Sequence, residues 1–143
     1  MIRTGADTRD EREAPMVLRL PAQADSLAIV RQAVTGVAET IGLTEDRIED
    51  LKVAVTEACT NVVLHAYDGR TDGAVMEVRA EPTDDALVVT VNDTGSGIVP
   101  RAEKTSPGLG LGLQMIAALA DDVRIAANEA GGTRVRMAFL LPG

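Results

Sequence analysis

The sequence predicts an α/β (α+β) two-layer sandwich: a mixed, mostly antiparallel sheet with helices on one face. Two observations carry this. Segments near residues 25–40, 44–65 and 111–120 place apolar residues at helical spacing, whereas five shorter runs read as strands. Their order, β-α-α-β-β-loop-α-β-β, is neither doubly wound nor all-β.

Met16–Leu20 alternates weakly and reads as an edge strand closed by Pro21. Asp25 or Ser26 is placed to cap a helix to about Thr40, with Leu27, Val30, Val34, Val37 and Ile41 at helical spacing and Gly42 as its stop. Thr44 caps the second helix. Arg47 stands where a capping-box acid would be, so the box is incomplete. This helix runs through Leu51, Val55, Ala58, Val62 and Val63 to about His65, and Tyr67-Asp68-Gly69 breaks it. Strands follow at about Ala74–Ala80 and Leu87–Asn92, joined by a Pro82-Thr83-Asp84-Asp85 turn. A glycine-rich stretch, Asp93 to Gly110, precedes a helix from about Leu111 to Ala120. Strand Val123–Ala127, turn Asn128–Gly132 and strand Thr133–Leu140 complete the pattern.

The 143 residues divide into a charged tail, 1–14, expected to be flexible, and one domain, 15–143, large enough for a core. The formal charge is −8, and Tyr67 and Phe139 are the only aromatic residues. An acidic surface with almost no rings argues against nucleic acid, and against a polybasic membrane patch. It leaves room for a phosphorylated ligand, because backbone N–H groups and a metal can hold phosphate without net positive charge. The single cysteine, Cys59, excludes an intrachain disulfide, and no apolar run reaches the length of a membrane span. The charged start lacks the apolar stretch of a secretory signal, so a cytoplasmic location is expected.

Three segments carry chemistry. In VAVTEACTNVVLHA, Glu57 and Asn61 are four residues apart, about 40° on a helix, and so share a face. Thr56, Thr60 and His65 extend the polar stripe. One reading is a partly solvated face. The other is a general base beside a neutral oxygen ligand for Mg²⁺. Cys59 falls among apolar positions and reads as packing.

The second segment is VNDTGSGI, where Asp93 ends a strand and Gly95 and Gly97 follow. It is either a tight turn or a carboxylate acceptor for an exocyclic amine, beside backbone that a flat ligand can approach. In the third, SPGLGLGL, Gly108, Gly110 and Gly112 precede a helix, as a flexible loop or as a phosphate-facing N-terminus. It lacks the context of a Rossmann fingerprint and the Gly-Lys-Ser/Thr of a P-loop. Gly131-Gly132-Thr133 reads first as a β-turn.

In this order, E-x-x-x-N, D-x-G-x-G, G-L-G-L-G and G-T resemble the GHKL ATPase superfamily with its Bergerat nucleotide-binding fold. The string EACTNVVLHAY is similar, more narrowly, to RsbW-type anti-sigma-factor serine/threonine kinases, over about residues 16–140. That resemblance implies ATP and Mg²⁺ as cofactors, with Asn61 as the metal ligand and Glu57 as the base on a protein hydroxyl. It implies Asp93 as the adenine acceptor, with Gly95 and Gly97 beside the base, and Thr133 in support. It also implies a lid from about Ile98 to Gly112, with Gly108, Gly110 and Gly112 near the phosphates. Arg101 and Lys104 in that lid are either phosphate contacts or solvated charges. The implied partners are a STAS-domain anti-anti-sigma protein as substrate, a sigma factor, and a second copy in a homodimer. Two alternatives are a non-catalytic ATP-binding module that holds a protein partner, and an ATPase whose glutamate activates water.

Overall fold

A computed structural model describes residues 15–66, 73–93, 107–129 and 131–143. The expected tail, 1–14, lies outside them. Five strands, β1 (Met16–Pro21), β2 (Val75–Pro82), β3 (Ala86–Asp93), β4 (Asp122–Ala127) and β5 (Thr133–Leu140), form one sheet in the order β1-β2-β3-β5-β4. Every pairing is antiparallel, so the expected mixed sheet narrows to an antiparallel one. The helices are α1 (Asp25–Ile41), α2 (Glu45–Asn61) and α3 (Pro107–Leu119), with a π-helical turn at Val62–Ala66.

Period-two burial decides the layers. β5 alternates strictly, burying Thr133, Val135, Met137 and Phe139 and exposing Arg134 and Arg136. Its inward residues meet Met76, Val78 and Ala80 of β2 and Leu87, Val89 and Val91 of β3 in one core. From the helical layer come Val30, Val34 and Ala38 of α1, then Leu51, Val55 and Ala58 of α2, and Ile116 of α3. Full burial of such a side chain contributes about 1.5–3 kcal/mol. The central strand β3 is buried nearly throughout, Val88 and Thr90 included.

The helix ends show what the sequence placed and what it did not. Gly42 closes α1 at φ 93°, a left-handed conformation, and its N–H reaches Ala38 and Glu39 carbonyls. At the other end neither Asp25 nor Ser26 caps. The helix starts after Ala24 with no side-chain cap, and Ser26 Oγ donates to the Pro21 carbonyl instead (2.7 Å). Thr44 does cap α2, accepting from Arg47 N at 3.3 Å.

Arg47, out of place in a capping box, ties the layers together. Its guanidinium donates to Asp50 (2.7 Å), Asp121 (2.7 Å) and the Leu119 carbonyl (3.0 Å), and lies 5.4 Å from the Phe139 ring centre. Asp121 also accepts from Leu140 N (2.7 Å). That backbone hydrogen bond, and then Arg47, hold its carboxyl below the ordinary value.

Two boundaries move. α2 ends as an α-helix at Asn61, and the residues to Ala66, with His65 among them, form the π-helical turn. α3 starts at Pro107 rather than Leu111, so Gly108 and Gly110 lie in its first turn and not in a loop before it. Proline suits a helix's first position, where its missing N–H costs nothing. No helix among the described residues is long and apolar enough to cross a membrane.

Candidate nucleotide site

Two clusters form the site. The first joins α2 to α3. Asn61 is 3% exposed and Glu57, one turn earlier, is partly exposed. Both side chains face the backbone of α3 at Gly112. A Cβ on Gly112 would lie 3.1 Å from Glu57 Oε1, 3.3 Å from Asn61 Oδ1 and 3.4 Å from Asn61 Nδ2. Glycine here serves close approach rather than a turn. Asn61 Nδ2 is buried with no hydrogen-bond partner among the described residues. A buried amide left unmatched costs about 1–3 kcal/mol, the mark of a group kept for a ligand or for strain.

Thr56 Oγ1, one residue before Glu57, is likewise buried with no hydrogen-bond partner among the described residues. Cys59 is fully buried, and burial pushes its thiol up to about 12, which removes it as a nucleophile.

The second cluster lies at the sheet end where β3 finishes and β5 begins. Asp93 is 1% exposed and Thr133 is 1% exposed. The register pairs Met76 with Asp93 and Asn92 with Arg134, which sets Asp93 beside the β4–β5 turn. Gly131 makes that turn at φ 90°. Gly132 has a different duty. A Cβ there would collide with the Asp93 carbonyl oxygen and come within 2.6 Å of its carbonyl carbon and Oδ1.

Asn128 holds the pieces together. Its Nδ2 donates to the Asp93 carbonyl (2.8 Å), with Thr133 O more distant (3.4 Å), and its Oδ1 accepts from Gly132 N (2.9 Å). On sequence alone Gly132 and Asn128 read as ordinary turn residues. The available signal was the second glycine, one more than a tight turn requires.

Of the expected site residues, the structure groups Glu57, Asn61 and Gly112 in one cluster and Asp93 and Thr133 in the other. Gly108 and Gly110 lie one turn or less before Gly112 on α3. Gly95, Gly97, Arg101 and Lys104 lie outside the described residues. No group of three or more His, Cys, Asp or Glu able to hold a metal occurs among the described residues. A metal that takes most ligands from a substrate's phosphates and from water needs no such group, and one amide oxygen beside a carboxylate suits Mg²⁺. The second cluster holds a buried carboxylate whose backbone packs against the bare Cα of Gly132.

Residues 20–139 match the family of histidine kinase-like ATPase domains. The chain is 38% identical over 140 residues to a serine-protein kinase RsbW of Bacillus velezensis, covering 88% of this chain and 85% of the relative. It is 37% identical to the Bacillus subtilis serine-protein kinase RsbW, covering 86% and 84%. Among solved structures it is similar to the RsbU and RsbW domains of a Mycobacterium tuberculosis protein, with a TM-score of 0.64 and 26% identity. That match covers 89% of this chain and 32% of the longer one. A blue-light activated histidine kinase domain from Erythrobacter litoralis shares the fold, with a TM-score of 0.56 over 85% of this chain and 62% of that one, at 20% identity.

Proposed function

Since this chain belongs to the histidine kinase-like ATPase domain family, we propose that it is an ATP-dependent serine/threonine protein kinase that also serves as an anti-sigma factor. Its substrate is a STAS-domain anti-anti-sigma protein, and in partner switching its homodimer sequesters a sigma factor in the cytoplasm. The observation that carries the catalytic part is the first cluster. A carboxylate and an amide converge on Gly112, and the amide's buried Nδ2 donor has no hydrogen-bond partner among the described residues, as suits a group that meets a phosphate oxygen.

In this reading Asn61 would hold Mg²⁺ together with the nucleotide's phosphates, where the ion would supply charge neutralisation for phosphoryl transfer. Glu57 takes the proton of the acceptor hydroxyl as its oxygen bonds the γ-phosphorus and the bond to departing ADP breaks. Glu57 needs access to the acceptor, and its partial exposure supports that role. Asp93 accepts from the adenine amine, Gly95 and Gly97 admit the ring, Gly108 and Gly110 stand near the phosphates, and Thr133 backs the base. Burial strengthens the Asp93 contact, because few waters compete there.

The test incubates purified protein with Mg²⁺, γ-labelled ATP and candidate STAS-domain proteins. Label on a serine or threonine of one candidate supports the proposal. Tight ATP binding with no transfer to any candidate, under conditions where a known kinase of this type labels its own partner, favours the non-catalytic module.

A further inference from the structure

The β4–β5 turn does more than join two strands. We propose that Asn128 is a positioning residue for base recognition: it fixes Asp93 at the end of β3 and thereby sets selectivity for a 6-aminopurine. This rests on the reading of Asp93 as the adenine acceptor.

Asn128 is only partly buried, yet its one amide engages both sides of the site. Nδ2 donates to the main-chain carbonyl of Asp93 itself (2.8 Å). Oδ1 accepts from the N–H of Gly132 (2.9 Å), the residue whose bare Cα faces that same carbonyl. The backbone of Asn128 adds a bond from its N–H to Gly132 O (3.0 Å) and accepts from Gly131 N (3.1 Å). One side chain thus spans from the end of β3 to the start of β5 and sets how closely Gly132 lies against Asp93.

The last residue of a strand needs such a tie. Asp93 is the last residue of β3: the pairing with Met76 holds it from the β2 side, and Asn128 meets its carbonyl from the β4–β5 turn. A carboxylate that recognises one donor on a flat ring must be held to a fraction of an ångström. The amide is suited to this because it donates to one backbone group and accepts from another at once. A hydroxyl would be too short, and an aspartate would meet the Asp93 carbonyl with an acceptor.

Isothermal titration of Mg-ATP and Mg-GTP into wild type, Asn128→Ala and Asn128→Asp tests this, with thermal unfolding of each unliganded protein alongside. Wild type is expected to prefer ATP. Asn128→Ala is expected to lose about tenfold in ATP affinity, with GTP affinity little changed, so the preference collapses. Asn128→Asp keeps the acceptor for Gly132 N–H but not the donor to Asp93. With an acceptor now facing the Asp93 carbonyl, it should melt no higher than Asn128→Ala, and its selectivity should be lost as well. Both nucleotides carry the same triphosphate, so the added charge cancels in the ratio. Either variant retaining the wild-type ATP-to-GTP ratio would overturn the assignment to Asn128 alone, as would a lower melting point with an unchanged ratio. A wild-type protein without ATP preference would overturn the reading of Asp93, and this assignment with it.

Discussion

Gly132→Ala places one methyl group where the Asp93 backbone already stands. Its carbon would lie 2.6 Å from both the carbonyl carbon and Oδ1 of Asp93, whereas ordinary van der Waals contact begins at 3.4 Å. The Asp93 carbonyl oxygen lies closer still, so the turn and the strand end must part by more than about 0.8 Å, an overpacking that costs about 1–3 kcal/mol. The yielding group is backbone, not a flexible side-chain tip, so the strain falls on the position of the Asp93 carboxylate. If binding bears most of that cost, ATP affinity drops by roughly tenfold to a hundredfold. Calorimetric titration with Mg-ATP reads the loss. Gly131→Ala is the control, because a Cβ there meets nothing within 4 Å but must adopt φ 90°. It should cost about 1 kcal/mol of stability and leave affinity nearly unchanged. Wild-type affinity in Gly132→Ala, or equal losses in both variants, would refute the argument that this glycine exists to seat Asp93.

Other outcomes follow from the same geometry. Gly112→Ala should gain about 0.8–1 kcal/mol of helix propensity, yet press on Glu57 and Asn61 at 3.1 and 3.3 Å. Phosphoryl transfer should therefore fall while the urea midpoint holds or rises. Arg47→Ala should destabilise by about 1–3 kcal/mol, because it unties Asp50, Asp121 and the Leu119 carbonyl together; equilibrium unfolding measures this. The buried Cys59 thiol resists ionisation up to about pH 12, whereas in the unfolded chain it ionises near 9. Between those values the unfolded state binds fewer protons, so stability should fall by about 1.4 kcal/mol per pH unit. Cys59→Ala should lack that part of the alkaline slope in urea titrations at pH 8 to 11.

The layer architecture was legible because burial here follows simple periods. Val30 and Val34 on a helix, and Val135, Met137 and Phe139 on a strand, declare their inward faces by spacing alone. The partnership of Glu57 with Asn61 was legible for the same reason. What the sequence left hidden depends on contacts between distant segments. Arg47 spoils a local capping box because it serves Asp121 and Phe139, more than 70 residues away. Gly132 looks like half of a turn until β3 is seen running beneath it. The start of α3 was misplaced because Gly108 and Gly110 are poor helix formers by propensity, and the close packing of Gly112 against α2 outweighs that preference.

The most direct test of the kinase assignment is single-turnover transfer from γ-labelled ATP to the STAS-domain acceptor, comparing wild type with Glu57→Gln. The amide keeps the shape of the side chain but cannot take the hydroxyl proton. Loss of transfer by about a hundredfold or more, with ATP affinity within a few-fold of wild type, is the expected result. Transfer at the wild-type rate by Glu57→Gln would contradict the assignment of Glu57 as the base.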